Sequence, residues 1–116
     1  MELWVNISGE KKKYQGSFKT VMESIYNDGK GKEVTLLSIH APQKELRRFK
    51  REWRSNGKNL VETARKIAVW FYLKDYRRAK RCIREYRKKT DPVSILKVQR
   101  AQKMLQEVQP KLEALS

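Results

Sequence analysis

Cysteine and histidine are almost missing from this chain: Cys82 and His40 are single occurrences among 116 residues. An internal disulfide needs two cysteines, and a cysteine-based zinc site needs more than one. Metal chemistry would have to rest on carboxylates alone, so no metal and no cofactor is expected. The same scarcity favours a reduced, cytoplasmic compartment. Long apolar runs are missing too. No stretch approaches the roughly 18–20 apolar residues that span a bilayer. Peripheral membrane binding through basic amphipathic helices is disfavoured because their apolar faces are needed for the core, so no membrane partner is expected. The opening Met1-Glu2-Leu3-Trp4-Val5 has no basic segment leading into an apolar one and does not read as a signal peptide.

Acidic residues are the third shortage. Lys and Arg total 28 against 13 Asp and Glu, a formal charge of +15. That much uncompensated charge strains a compact state by self-repulsion, and a polyanionic partner relieves it. Its placement says more than its size. Residues 1–43 carry a net +1, residues 44–89 a net +13, and residues 90–116 a net +1. The excess belongs to one localised region.

What is present reads as a single domain of 116 residues, β-rich over 1–42 and helical and basic over 43–116. Glu2 to Ile7 alternates, with Leu3, Val5 and Ile7 on one side, which predicts a strand. A Ser8-Gly9-Glu10 turn and the lysines 11–13 follow. Tyr14 to Phe18 reads as a second strand, with Gly16 marking a bulge. From Lys19 the spacing turns helical through Val21, Met22, Ile25 and Tyr26, ending at Asn27-Asp28-Gly29. Glu33 to Ala41 reads as a buried strand closed by Pro42.

Beyond Pro42 every pattern is helical. Residues 43–55 place Leu46, Phe49 and Trp53 on one face and stop at Asn56-Gly57. Asn59 with Glu62 opens the next helix in the manner of a capping box. From there to Lys89 the spacing fits one long helix or two, with a break near Lys74-Asp75. Asp91 and Pro92 cap and start a last helix, which Pro110 is expected to end or kink. Its apolar residues, Val93, Ile95, Val98 and Val108 among them, spread over more than one face, which leaves room for a homodimer. The expected fold is α+β: a small N-terminal antiparallel sheet with one helix, followed by three to four packed basic amphipathic helices.

Successive helical residues rotate by about 100°. In the 43–55 helix this sets Lys44, Arg47, Arg51 and Arg54 opposite the apolar stripe. Over 75–89 it sets Arg77, Arg81, Arg84 and Lys88 opposite Tyr76, Ala79, Ile83 and Tyr86. Such rows can follow successive phosphates. Arginine suits the task because its planar fork grips a phosphate bidentately and stacks on bases. Charge on an outer helix face is more often only a solvated face. Two rows within a +13 segment shift the balance towards a polyanion.

Other residues carry less. Trp70, Phe71 and Tyr72 are consecutive, so one helix cannot bury all three; Phe71 is expected inside, with Trp70 or Tyr72 at a rim. Tyr72 and Tyr76 are the aromatic candidates for partner contact. Trp53 fits core packing better than base stacking. Gly29-Lys30-Gly31-Lys32 lacks the spacing and the following helix of a phosphate loop. His40 has no triad partner recognisable in the sequence, so a ribonuclease is the minor alternative, and no catalytic residue is assigned.

The stretch Trp70 to Pro92, through Tyr72-Leu73-Lys74-Asp75-Tyr76-Arg77-Arg78-Ala79, resembles a tetratricopeptide-repeat hairpin over about a fifth of the chain. Tyr86 stands where that family has a small residue, Ile67 where it has Gly or Ala, and Pro92 falls one position late. The resemblance implies a helical hairpin turning near Lys74-Asp75. No glycine turn of the helix-turn-helix kind is present.

The expected function is therefore a non-catalytic nucleic-acid-binding protein, RNA favoured slightly over DNA. Lys44, Arg47, Arg51, Arg54, Arg77, Arg81, Arg84 and Lys88 would hold phosphates, with Tyr72 and Tyr76 beside them. The alternative is a protein-interaction adaptor or inhibitor, of the kind mobile elements and phages encode, docking its basic face on an acidic protein.

Overall fold

A computed structural model describes all 116 residues. It is an α+β protein: a three-stranded antiparallel sheet and four helices, in the order β1 (Glu2–Ile7), β2 (Glu10–Gln15), α1 (Phe18–Gly29), β3 (Val34–His40), α2 (Gln43–Ser55), α3 (Leu60–Tyr86) and α4 (Pro92–Ala114). No helix is long and apolar enough to cross a membrane. The chain forms two compact units, Met1–Ala68 and Val69–Ser116. The compositional change at Pro42 is not where they divide, because α2 and the start of α3 belong with the sheet.

In the first unit β1 is the central strand, in the order β2-β1-β3. Its alternation is the one the sequence dictates, with Leu3, Val5 and Ile7 buried. Ser8 and Gly9 form a two-residue hairpin loop with φ of 51° and 86°. Positive φ at both positions matches the twist of a tight hairpin. The second strand lies earlier than the sequence suggests. Lys11 to Lys13 sit inside β2, and Gly16 ends it. Ser17 is instead an N-cap: its Oγ accepts from the Thr20 amide at 3.2 Å, so Phe18 opens α1.

The third strand is not buried. β3 is an edge strand, and the register slips between Trp4 (opposite Ser38) and Val5 (opposite Leu36). Leu37 is the extra residue of this bulge and is 45% exposed. A bulge breaks the two-residue alternation, so no β3 side chain reaches full burial.

α1 packs on β1 and β2 with Phe18, Val21, Met22 and Ile25 buried. Phe49 of α2 and Leu60, Ala64, Ile67 and Ala68 of α3 complete the buried hydrophobic set of this unit, and the polar Thr63 side chain is buried as well. α1 ends on Gly29 for reasons of space. A Cβ there would lie 2.8 Å from Val34 Cγ2 and 3.2 Å from Val61 Cγ2. Gly29→Ala is therefore expected to cost about 1–3 kcal/mol of stability through overpacking, seen as a lower midpoint in urea unfolding. Shortening Val34 to alanine in the same chain should recover most of that loss.

α3 begins as the capping pattern implies. The Asn59 side chain accepts from the Glu62 amide at 3.0 Å. The Glu62 carboxylate, however, turns to Arg65, whose Nε donates to it at 3.0 Å. The helix then runs unbroken for 27 residues, so the hairpin implied at Lys74-Asp75 does not form. No glycine or proline lies within it, and Ala68, Tyr72, Tyr76, Ala79 and Ile83 keep one helical stripe through that point. The helix ends at Tyr86; Lys88 lies in the turn beyond it.

In the second unit Tyr72, Ala79, Ala101, Val108 and Leu115 are buried. Asp91 caps α4, accepting from the Ser94 amide at 3.0 Å. The hydrogen bonds from Ser94 hold its carboxyl below the usual range. Pro110 neither ends nor interrupts α4, which continues to Ala114. The missing N–H there forfeits one helical bond without stopping the helix.

Candidate nucleic-acid interface

Within the first unit, α2 turns Phe49 fully inward and stacks it on Trp53, with ring centroids 6.5 Å apart. Trp53 is thereby half-buried, in the packing role the sequence favours, and Lys58 Nζ sits 5.7 Å from its ring centre. On the other side Lys44, Arg47, Arg51 and Arg54 are all exposed. Between the two faces lies Arg48, whose pKa is lowered first by burial and then by the charge of Arg51. The sheet of the same unit turns Lys11 and Lys13 over Trp4, each 5.7 Å from the ring centre. Lys30 of the glycine-lysine loop lies over Tyr26, and a strand follows the loop. His40 is exposed at the end of β3, opposite Glu2.

Within the second unit, α3 builds a more defined feature. Trp70, Lys74, Arg77, Arg78, Arg81 and Arg84 line one open concavity of about 510 Å³. Their spacing explains why. Steps of three, four and seven residues return to the same side of a helix, so one uninterrupted helix brings all six together. Lys74 to Arg84 spans about 15 Å at ~1.5 Å per residue. All five cations are exposed, and no carboxylate pairs with any of them. Neighbouring like charges at three- and four-residue spacing cost a helix about 0.2–0.5 kcal/mol per pair. An anion placed in the concavity would remove that cost.

The aromatic side chains fall differently from expectation. Tyr72 is 3% exposed and covered by Lys111, whose Nζ is 5.5 Å from its ring centre. It cannot meet a partner, because it continues the buried stripe from Ala68 to Ala79. Phe71, expected inside, is only half-buried. Tyr76 is half-buried with Lys80 over its ring at 5.3 Å and does not line the concavity. Trp70 does line it, half-buried, in T-shaped contact with Phe71 at 4.7 Å and with Lys74 Nζ 5.2 Å from its centre. Lys88, beyond the helix end, is outside the row.

Trp70, Lys74 and Arg78 are the members that the pattern of residues 75–89 missed. The signal was available: stepping back from Arg77 by three and seven residues reaches Lys74 and Trp70. It is legible only if the helix is known to continue through Lys74-Asp75.

No family model matches the sequence, and no solved structure matches the fold. A protein of Aquifex aeolicus (strain VF5), described only as uncharacterized, is 49% identical over 116 residues. The match takes in all of this chain and 91% of the relative. An identity of that level over the whole of this chain reflects common descent with a shared fold, and this chain belongs to the same family as the Aquifex aeolicus protein.

Proposed function

We propose that this protein is a non-catalytic nucleic-acid-binding protein of the cytoplasm, which grips the phosphate backbone, of RNA before DNA, with arginine-rich helix faces. The observation that carries the proposal is the α3 concavity: five exposed Lys and Arg side chains, one tryptophan and no acid. Cations left without carboxylates bind phosphates strongly, because the duplex or single strand releases its condensed counterions on contact. Arginine dominates the row, and its fork matches phosphate geometry. The exposed Lys44, Arg47, Arg51 and Arg54 of α2 offer a second set of backbone contacts. Neither row presents a side-chain pattern for reading base edges in a groove, which favours contact without sequence specificity.

A second reading has its own support. Val93, Ile95 and Leu96 at the start of α4 are 63%, 45% and 46% exposed. Exposed apolar residues on the same unit as a basic face suit an acidic protein partner, as in an adaptor or inhibitor.

Fluorescence-anisotropy titration separates the two. Labelled single-stranded RNA, single-stranded DNA and duplex DNA should bind with micromolar or tighter affinity near physiological salt, RNA tightest. Absence of binding to all three would sink the nucleic-acid proposal and leave the acidic protein partner.

A further inference from the structure

We propose that Trp70 is a base-stacking subsite that makes the protein favour single-stranded nucleic acid over duplex. The inference rests on the nucleic-acid reading above and adds the form of strand recognised.

Trp70 is the one aromatic side chain among the six that line the concavity. It stands at the start of the row, four residues before Lys74 and seven before Arg77. A base on its ring would thus have its own phosphate carried directly towards the arginines. Phe71 fixes the indole in a T-shaped contact, with ring planes at 68°. Lys74 Nζ, 5.2 Å from the ring centre, is the group a base must displace. An ammonium at a solvent-exposed position, as Lys74 is, contributes only about twofold to fivefold to an equilibrium when it sits over a ring. A base stacked on an aromatic side chain contributes roughly fivefold to 150-fold. The base wins, and the released ammonium hangs on four flexible methylenes, five bonds from the helix backbone, long enough to turn to the adjacent phosphate. A duplex keeps its bases stacked on one another and offers Trp70 no free face, whereas a single strand does.

The test uses the full chain, its Trp70→Ala and Trp70→Phe variants, and three probes: a single-stranded RNA, a duplex RNA of the same composition, and inorganic polyphosphate, which has the charge but no bases. Wild type should prefer the single strand. Trp70→Ala should weaken single-strand binding roughly fivefold to 150-fold, with duplex and polyphosphate affinities changed less than about twofold, and Trp70→Phe should retain most of the affinity. Equal loss for all three probes would mean that Trp70 only shapes the helix face, and no loss for any would mean that it touches no base; either overturns the inference while backbone binding stands. Failure of wild type to bind any nucleic acid would instead remove the reading beneath it.

Discussion

Replacing Arg77, Arg81 and Arg84 together by glutamate is expected to weaken RNA binding at least about a thousandfold and leave the fold intact. Each of the three is exposed and has no carboxylate partner. Their removal breaks no ion pair within the protein. A hydrogen bond to a charged group contributes roughly 1.5–3 kcal/mol, so losing three contacts already exceeds a thousandfold, before the new repulsion from phosphate is counted. The salt dependence should flatten as well, because each phosphate contact on a single strand contributes about 0.7 to the slope of log K against log salt. Three lost contacts lower the slope by about 2. Thermal stability should hold or rise, since the change relieves self-repulsion within α3. Circular dichroism and an anisotropy titration on the same sample check both halves. A variant that binds RNA like the wild type would place the interface elsewhere.

Phe49→Ala is expected to have the largest effect on stability. Phe49 heads the fully buried side chains by volume, and its ring stacks on Trp53. Truncating a buried phenylalanine removes its transfer free energy and leaves a cavity that close-packed neighbours fill only in part, about 3–5 kcal/mol in all. Whole domains are stable by roughly 5–15 kcal/mol, so the variant loses a large share of its stability and should unfold at a clearly lower temperature and urea concentration. Urea unfolding followed by tryptophan fluorescence gives the value. A loss under about 1 kcal/mol would show that α2 is not held through this side chain.

Much of the first unit was legible in the residues. The alternation of Leu3, Val5 and Ile7 specifies β1, and the three-and-four spacing of Val21, Met22 and Ile25 specifies α1. Asn56-Gly57 and Asp91-Pro92 mark helix ends through caps that depend on local chemistry alone. The departures have tertiary or competing local causes. Ser17 draws Phe18 into α1 because an N-cap hydroxyl outweighs the strand preference of that one aromatic residue, while Tyr14 stays in β2. β3 looks buried by composition, but burial depends on strand order, and an edge position with a bulge at Leu37 is invisible in sequence. The break sought at Lys74-Asp75 rests on a resemblance, while the unbroken stripe through Tyr72, Tyr76 and Ala79 favours continuity.

The candidate site was half legible for the same reason. Arg77, Arg81 and Arg84 follow from the helical wheel of their own segment. Trp70 and Lys74 join them only once α3 is continuous, and Tyr72 leaves the site because the same continuity turns it inward. The exposed row of α2 needed no such knowledge, since Phe49 fixes which way that short helix faces.

The affinity of the unmodified protein for a single-stranded RNA, measured between 50 and 200 mM salt, tests the central claim most directly. Five phosphate contacts, one for each cation of the α3 concavity, predict a fall of roughly a hundredfold across that range. An affinity that does not change with salt, or no binding at either concentration, would contradict an interface built on phosphates.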